Sequence, residues 1–375
     1  MQFRDLGAQY KALKPEIDAG IHSVIDSSAF ILGTPVTELE NKLADYVGRK
    51  YCVACANGTE ALQLALMAWD IGPGDAVFTS DFTYFASAGC ASIIGATPVL
   101  VDIDLATFNI SPEALETEIE RVIEEGKLKP KAIIPVDLFG LPADYTKILL
   151  VAEKYGLKVL EDAAQGFGGR INEKIACSFG DISATSFFPA KPLGCYGDGG
   201  AIFTDDEVID ARLRSLRAGG KSPEDKYDNR EIGMNSRLDT LQAAILLPKF
   251  KAFVDYELEA VNKVAKWYDE RLKDCVVVPS IPEGFYSSWA QYTILLKNRE
   301  ERDAMQKYLK EKGIPSMVYY PRGLHQQAAY KWMELTDEPY PNTIEATNRV
   351  LSLPMHPYLT EDVVDGITKT LMEYI

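Results

Sequence analysis

Seven short apolar runs separated by helix-like stretches fill residues 50–205, and this alternation restricts the chain to an α/β layer architecture. The runs lie at 51–56, 76–79, 98–102, 132–137, 157–161, 183–188 and 200–204, and they predict a sheet whose strands are mostly parallel. Gly72-Pro73-Gly74-Asp75 reads as a turn. Ser111-Pro112-Glu113 opens a helix with a capping hydroxyl, a first-position proline and an early acid. A long helical pattern covers 238–273, after which a new β/α alternation continues to residue 375. The expected division is a large domain over 1–250 and a smaller C-terminal α/β domain over 251–375, with no internal repeat or flexible linker.

Charge and cysteine usage exclude several functions. The net charge of −16 (39 basic against 55 acidic residues) argues against phosphate-backbone binding as the main activity, so an anionic ligand needs a local site. Six cysteines in 375 residues, without a signal peptide, read as reduced thiols and predict a cytoplasmic location. Cys52-Val53-Ala54-Cys55 has C-x-x-C spacing, but it lies in an apolar strand with no second pair, so core packing is expected. No apolar stretch approaches membrane-spanning length.

The candidate chemistry centres on Lys191, in Ser186-Phe187-Phe188-Pro189-Ala190-Lys191, 29 positions after Asp162. Asp162 should lie at the carboxyl end of one expected strand, and the run 183–188 delivers Ser186 and Lys191 toward the same crevice. Both segments should reach the carboxyl edge of the sheet, where open α/β folds bind ligands. An amine and a carboxylate at that edge suit pyridoxal 5′-phosphate (PLP). The amine can hold its aldehyde covalently, and the acid can keep its pyridine nitrogen protonated. Gly58 and Thr59, in Asn57-Gly58-Thr59-Glu60, open a helix after the first run, where free N–H groups and the dipole suit a phosphate. Ser186 adds a hydroxyl to the same phosphate. Gln165 is a candidate partner for the cofactor's phenolic oxygen, and Tyr84 is the candidate ring-stacking aromatic.

Five motifs occur together and in order: Asn57 to Leu62, Glu161-Asp162-Ala163-Ala164-Gln165, Ser186 to Lys191, Gly197-Asp198-Gly199-Gly200-Ala201 and Asn235-Ser236-Arg237-Leu238-Asp239. In these the chain resembles the DegT-type nucleotide-sugar aminotransferases, PLP enzymes of fold type I (aspartate aminotransferase-like). The resemblance implies that Lys191 carries PLP, Asp162 pairs with its pyridine nitrogen and Gln165 contacts its ring hydroxyl. It gives Gly58, Thr59 and Ser186 to the phosphate and Tyr84 to the ring. It also implies a homodimer with shared sites, in which Asn235 reaches the neighbouring subunit's cofactor phosphate and Arg237 lies near the substrate. Tyr320 and His325, in Tyr319-Tyr320-Pro321-Arg322-Gly323-Leu324-His325, match the family's substrate-side loop, whereas Tyr319 stands where many relatives have histidine. Residues 118–131 look extended relative to many relatives and read as a solvated helix end.

The implied reaction moves an amino group from L-glutamate to a nucleotide-linked keto sugar for surface polysaccharide synthesis. The motif from Asn235 and the run Leu353-Pro354-Met355-His356-Pro357 point to a UDP-2-acetamido-3-keto-hexose or its uronate, with a dTDP-4-keto-6-deoxyhexose as the alternative. Arg237, Arg322 and His325 are the candidate cations for such an anionic substrate. A sugar dehydratase of the family would carry histidine in place of Lys191. A non-catalytic regulatory protein on the same fold would be expected to lose Lys191 or Asp162.

Overall fold

The computed structural model describes residues 1–222, 224–225 and 227–375. The strands are β1 (Tyr51–Cys55), β2 (Asp75–Ser80), β3 (Thr97–Val101), β4 (Lys129–Ile134), β5 (Lys158–Asp162), a short hairpin of β6 (Arg170–Ile171) and β7 (Lys174–Ile175), then β8 (Ile182–Ser186) and β9 (Gly200–Thr204). Seven of them form one sheet in the order β1-β9-β8-β5-β4-β2-β3. The pairs from β8 to β3 are parallel, and β9 runs antiparallel to both β1 and β8. Two reversals leave β1 parallel to β8, so β1, β2, β5 and β8 all end at the same edge. Helices cover both faces of such a sheet, which is why the central strands read as unbroken apolar runs rather than alternating ones.

The strand pattern also disposes of the cysteine pair. Residues three apart in a strand point to opposite faces. Accordingly Cys52 packs in the core that includes Leu39 and Phe203, and Cys55 in the core that includes Leu62 and Ile202. They cannot converge on one ligand. No helix among the described residues is long and apolar enough to cross a membrane.

Beyond the sheet, helical turns run without a break through Thr240–Ala252, a wide turn at Phe253–Glu257 and Leu258–Leu272. The boundary expected at residue 250 therefore falls inside a continuous helical run. The C-terminal part adds β10 (Phe285–Tyr286), which pairs with β6, and the antiparallel pair β11 (Tyr292–Leu295) and β12 (Val350–Leu353). Its apolar residues share a core with the large sheet: Phe187, Phe203, Leu246, Ile294 and Leu353 belong to one cluster. Asp102, just past β3, clasps the two parts by accepting the N–H groups of Asn342 (3.1 Å) and Thr343 (2.8 Å) at the start of the helix Pro341–Arg349. Carboxylates are favoured at that helix end, where N–H groups lack intrahelical partners.

Candidate active site

At the carboxyl edge of the sheet lies a cavity of about 990 Å³. Of the residues singled out in the sequence, Gly58, Thr59, Tyr84, Asp162, Gln165, Ser186, Lys191 and Tyr320 line it; Asn235, Arg237, Arg322 and His325 do not. Asp162 is the last residue of β5 and is buried. Its Oδ2 accepts from the Ser87 hydroxyl (2.7 Å) and its Oδ1 from the Ala164 N–H (3.2 Å). Burial raises the Asp162 pKa, while those two donors and the Lys191 amine pull it back toward the ionised form.

Lys191 follows β8 in a tight turn in which its N–H donates to the Phe188 carbonyl (2.8 Å). The chain on either side is tied down by Phe187 N–H to Gly199 O (2.7 Å) and Cys195 N–H to Phe187 O (2.8 Å). Burial pushes the Lys191 amine down to about 8; Asp162 opposes this shift, and Arg4 adds to it. An amine that loses its proton so near neutrality can act as nucleophile and as general base.

Opposite the lysine, the helix Gly58–Ala68 begins at the cavity. The Asn57 side chain caps it by accepting the Glu60 N–H (2.8 Å), and the N–H groups of Gly58 and Thr59 are left without intrahelical partners. Only glycine permits this approach, because a Cβ at position 58 would lie 2.6 Å from the Cβ of Ser186. Two backbone donors, the Thr59 side chain and the Ser186 hydroxyl thus face one small volume at the positive end of a helix, an arrangement suited to a phosphate. Gln165 is oriented from behind: its Oε1 accepts the Phe139 N–H (2.9 Å), and its Nε2 donates to the Tyr320 hydroxyl (3.2 Å). Tyr84 stands at the rim, 57% exposed.

The structure does not bring His325 to the cavity. Its ring is buried between two carboxylates, with Nδ1 2.6 Å from Asp81 and Nε2 2.9 Å from Asp337, and it stacks on Tyr340. Burial alone would lower its pKa, but Asp81 and Asp337 outweigh that and raise it. The same Asp81, just after β2, accepts the His325 N–H (2.8 Å) on its Oδ1 and the Leu324 N–H (2.8 Å) on its backbone carbonyl. His325 therefore pins the loop that carries Tyr319 and Tyr320. Asn235 is exposed outside the cavity of its own chain, while Ser236 accepts the Ala56 N–H (3.2 Å) and holds this motif beside the helix start at Gly58.

Sequence reasoning missed Ser87, Asp81 and Arg4. Ser87 and Arg4 bond to site residues 75 and 187 positions away, and no local pattern encodes such contacts. Ser87 does lie three residues after Tyr84, so a helix opening at that aromatic was the one available signal.

The model of the DegT/DnrJ/EryC1/StrS aminotransferase family matches residues 11–372. The chain belongs to this family. It is 47% identical over 362 residues (96% of each chain) to the UDP-2-acetamido-2-deoxy-3-oxo-D-glucuronate aminotransferase of Pseudomonas aeruginosa. It is 42% identical over 374 residues (99% of this chain, 97% of the other) to a Geobacillus stearothermophilus protein called a pleiotropic regulatory protein. A UDP-N-acetyl-3-dehydro-α-D-glucosamine 3-aminotransferase of Acidithiobacillus ferrooxidans is 40% identical over 368 residues (98% and 96%). Among solved structures, a DegT/DnrJ/EryC1/StrS aminotransferase from Brucella abortus superposes with a TM-score of 0.96 at 48% identity, covering 100% of this chain and 99% of that one. DesV of S. venezuelae, solved with a ketimine intermediate, superposes at 0.93 with 33% identity, covering 100% and 98%.

As a family aminotransferase with this fold, the protein is PLP-dependent. Its own residues fit the cofactor: a helix start that only glycine allows for the phosphate, a buried amine for the aldehyde, and a buried acid held by Ser87 for the ring nitrogen.

Proposed function

We propose that this aminotransferase transfers the amino group of L-glutamate to C3 of a UDP-2-acetamido-3-keto-hexose or its uronate, in the cytoplasm and for surface polysaccharide synthesis. The observation that carries the chemistry is the convergence of Lys191 and Asp162 on one cavity with the helix start at Gly58. Bound PLP supplies a ring that stabilises negative charge at the donor's α-carbon. Gly58, Thr59 and Ser186 bind the phosphate, and Asp162 holds a proton on the ring nitrogen. Lys191 Nζ takes the proton from the α-carbon of glutamate and, in the return direction, delivers one to the sugar carbon that gains nitrogen. Gln165, held by Tyr320, would contact the ring hydroxyl, Tyr84 would stack on the ring, and Tyr320 would also face the substrate.

Two observations support a homodimer with shared sites. Phe30, Ile31, Leu32 and Phe188 are exposed apolar side chains. Ile31 bridges to Asp239, so this apolar surface adjoins the motif that begins at Asn235. A partner seated there would bring Asn235 and Arg237 to the neighbouring cavity. The Geobacillus relative's name raises a regulatory reading, but Lys191 and Asp162 are both present in the cavity, and a non-catalytic protein has no need of them.

The relatives from P. aeruginosa and A. ferrooxidans favour a 3-keto UDP sugar as acceptor. Turnover measured with UDP-linked 3-keto and dTDP-linked 4-keto sugars is expected to favour the former by tenfold or more, about 1.4 kcal/mol of transition-state binding. Preference for the dTDP sugar would overturn the choice. Equal rates with neutral and uronate 3-keto sugars would remove a carboxylate-binding role for Arg237.

A further inference from the structure

We propose that Arg4 is a positioning residue for Lys191, clamping the backbone that carries the reactive amine and holding a fixed positive charge beside it. The inference rests on the reading of Lys191 as the cofactor-bearing lysine. Arg4 lies 187 positions away in sequence, yet its Nη2 donates to the Lys191 carbonyl (2.8 Å) and the Pro192 carbonyl (3.2 Å). Those carbonyls lie beyond the end of β8 in a loop so tight that a Cβ at Gly194 would sit 2.5 Å from the Pro189 carbonyl oxygen. Pro192 has no N–H to help anchor the turn. The guanidinium supplies that anchor, since the two N–H groups of Nη2 reach two neighbouring carbonyls.

Arg4 is itself held from both sides. The Phe3 carbonyl accepts the Met355 N–H (3.1 Å), and Asp5 caps the helix Leu6–Ser27 by accepting the Ala8 N–H (2.8 Å). Among the described residues Arg4 has no ion-pair partner within contact distance. Glu257, the acid that acts on it through space, is engaged instead by Gln9 (2.9 Å) and Tyr358 (2.7 Å). The groups around this centre are Asp162, which faces Lys191, and Glu257, Lys249 and His356, which act on or are acted on by Arg4. Burial brings the Arg4 pKa down to about 10, so the group stays charged at neutral pH. Its charge favours the neutral form of the Lys191 amine. Asp162 pulls the other way, so Arg4 offsets the acid that the ring nitrogen requires.

The test strips PLP from the full-length wild type, Arg4→Gln and Arg4→Lys, then follows the return of visible absorbance on adding PLP across a pH series. The rate reports the neutral fraction of Lys191 and needs no turnover. The wild-type midpoint is expected near 8. Arg4→Gln is expected to move it up by about half a pH unit or more and to slow the high-pH rate. Arg4→Lys should keep the wild-type midpoint but remain slower, because the charge survives while the planar Nη2 donor that ties both carbonyls does not. Coincidence of the Arg4→Gln profile with wild type, or equal midpoint shifts in both variants, would overturn the proposal. If Arg4→Gln fails to fold, an Arg4→Lys rate equal to wild type at high pH overturns it. Wild type that never regains visible absorbance would instead refute the role of Lys191 itself, and this inference with it.

Discussion

Lys191→Ala is expected to lower turnover by roughly 10³-fold or more, because one side chain supplies both the covalent anchor and the proton carrier. The phosphate pocket of Gly58, Thr59 and Ser186 does not involve Lys191, so PLP should still bind. The bound cofactor should leave with denaturant and without prior reduction, and the absorbance of the protein-linked form should be missing. Difference spectroscopy and mass spectrometry after borohydride treatment distinguish the outcomes: wild type gains the mass of a reduced cofactor on Lys191, and the variant gains none. Near-normal turnover by Lys191→Ala would remove the lysine from the mechanism.

Mixing two dead variants is expected to restore activity. In a shared-site dimer, Lys191→Ala lacks the lysine, and Asn235→Ala combined with Arg237→Ala lacks the residues offered to the neighbour. After subunit exchange at equal concentrations, half the dimers are hybrids, and each hybrid has one fully native site. About one quarter of wild-type activity should therefore return. Asn235 is exposed and does not line its own cavity, so a site confined to one chain offers no such rescue. Demonstrated exchange without recovery would mean that each chain builds its site alone.

Much of this architecture is legible in sequence because its determinants are local. The run that leads to Asp162 and the run 183–188 that carries Ser186 read as strands from local sequence. In a parallel sheet that pattern alone delivers both to the ligand-binding edge. The cap at Asn57 and the first-turn Gly58 and Thr59 are equally local, and the structure sets them where expected. The direction of β9 was not legible, since an apolar strand carries no mark of whether its neighbours run with or against it. Nor were the two-residue strands β6, β7 and β10, which are too short to hold a period. His325 illustrates the limit at a single residue. Its place in the loop beside Tyr320 was legible, but not its partner Asp81, 244 positions away, which holds the ring in the interior. The continuity of the helical run across residue 250 was hidden for a related reason: a helical pattern does not show that its two halves serve one continuous core.

The most direct measurement is a single half-reaction. Holoenzyme mixed with L-glutamate alone, without any keto sugar, is expected to lose its visible absorbance and to release one equivalent of 2-oxoglutarate per site, and subsequent addition of a UDP-linked 3-keto sugar should restore the absorbance with formation of the amino sugar. An absorbance unchanged by saturating glutamate, with no 2-oxoglutarate formed, would contradict amino transfer from glutamate by this protein.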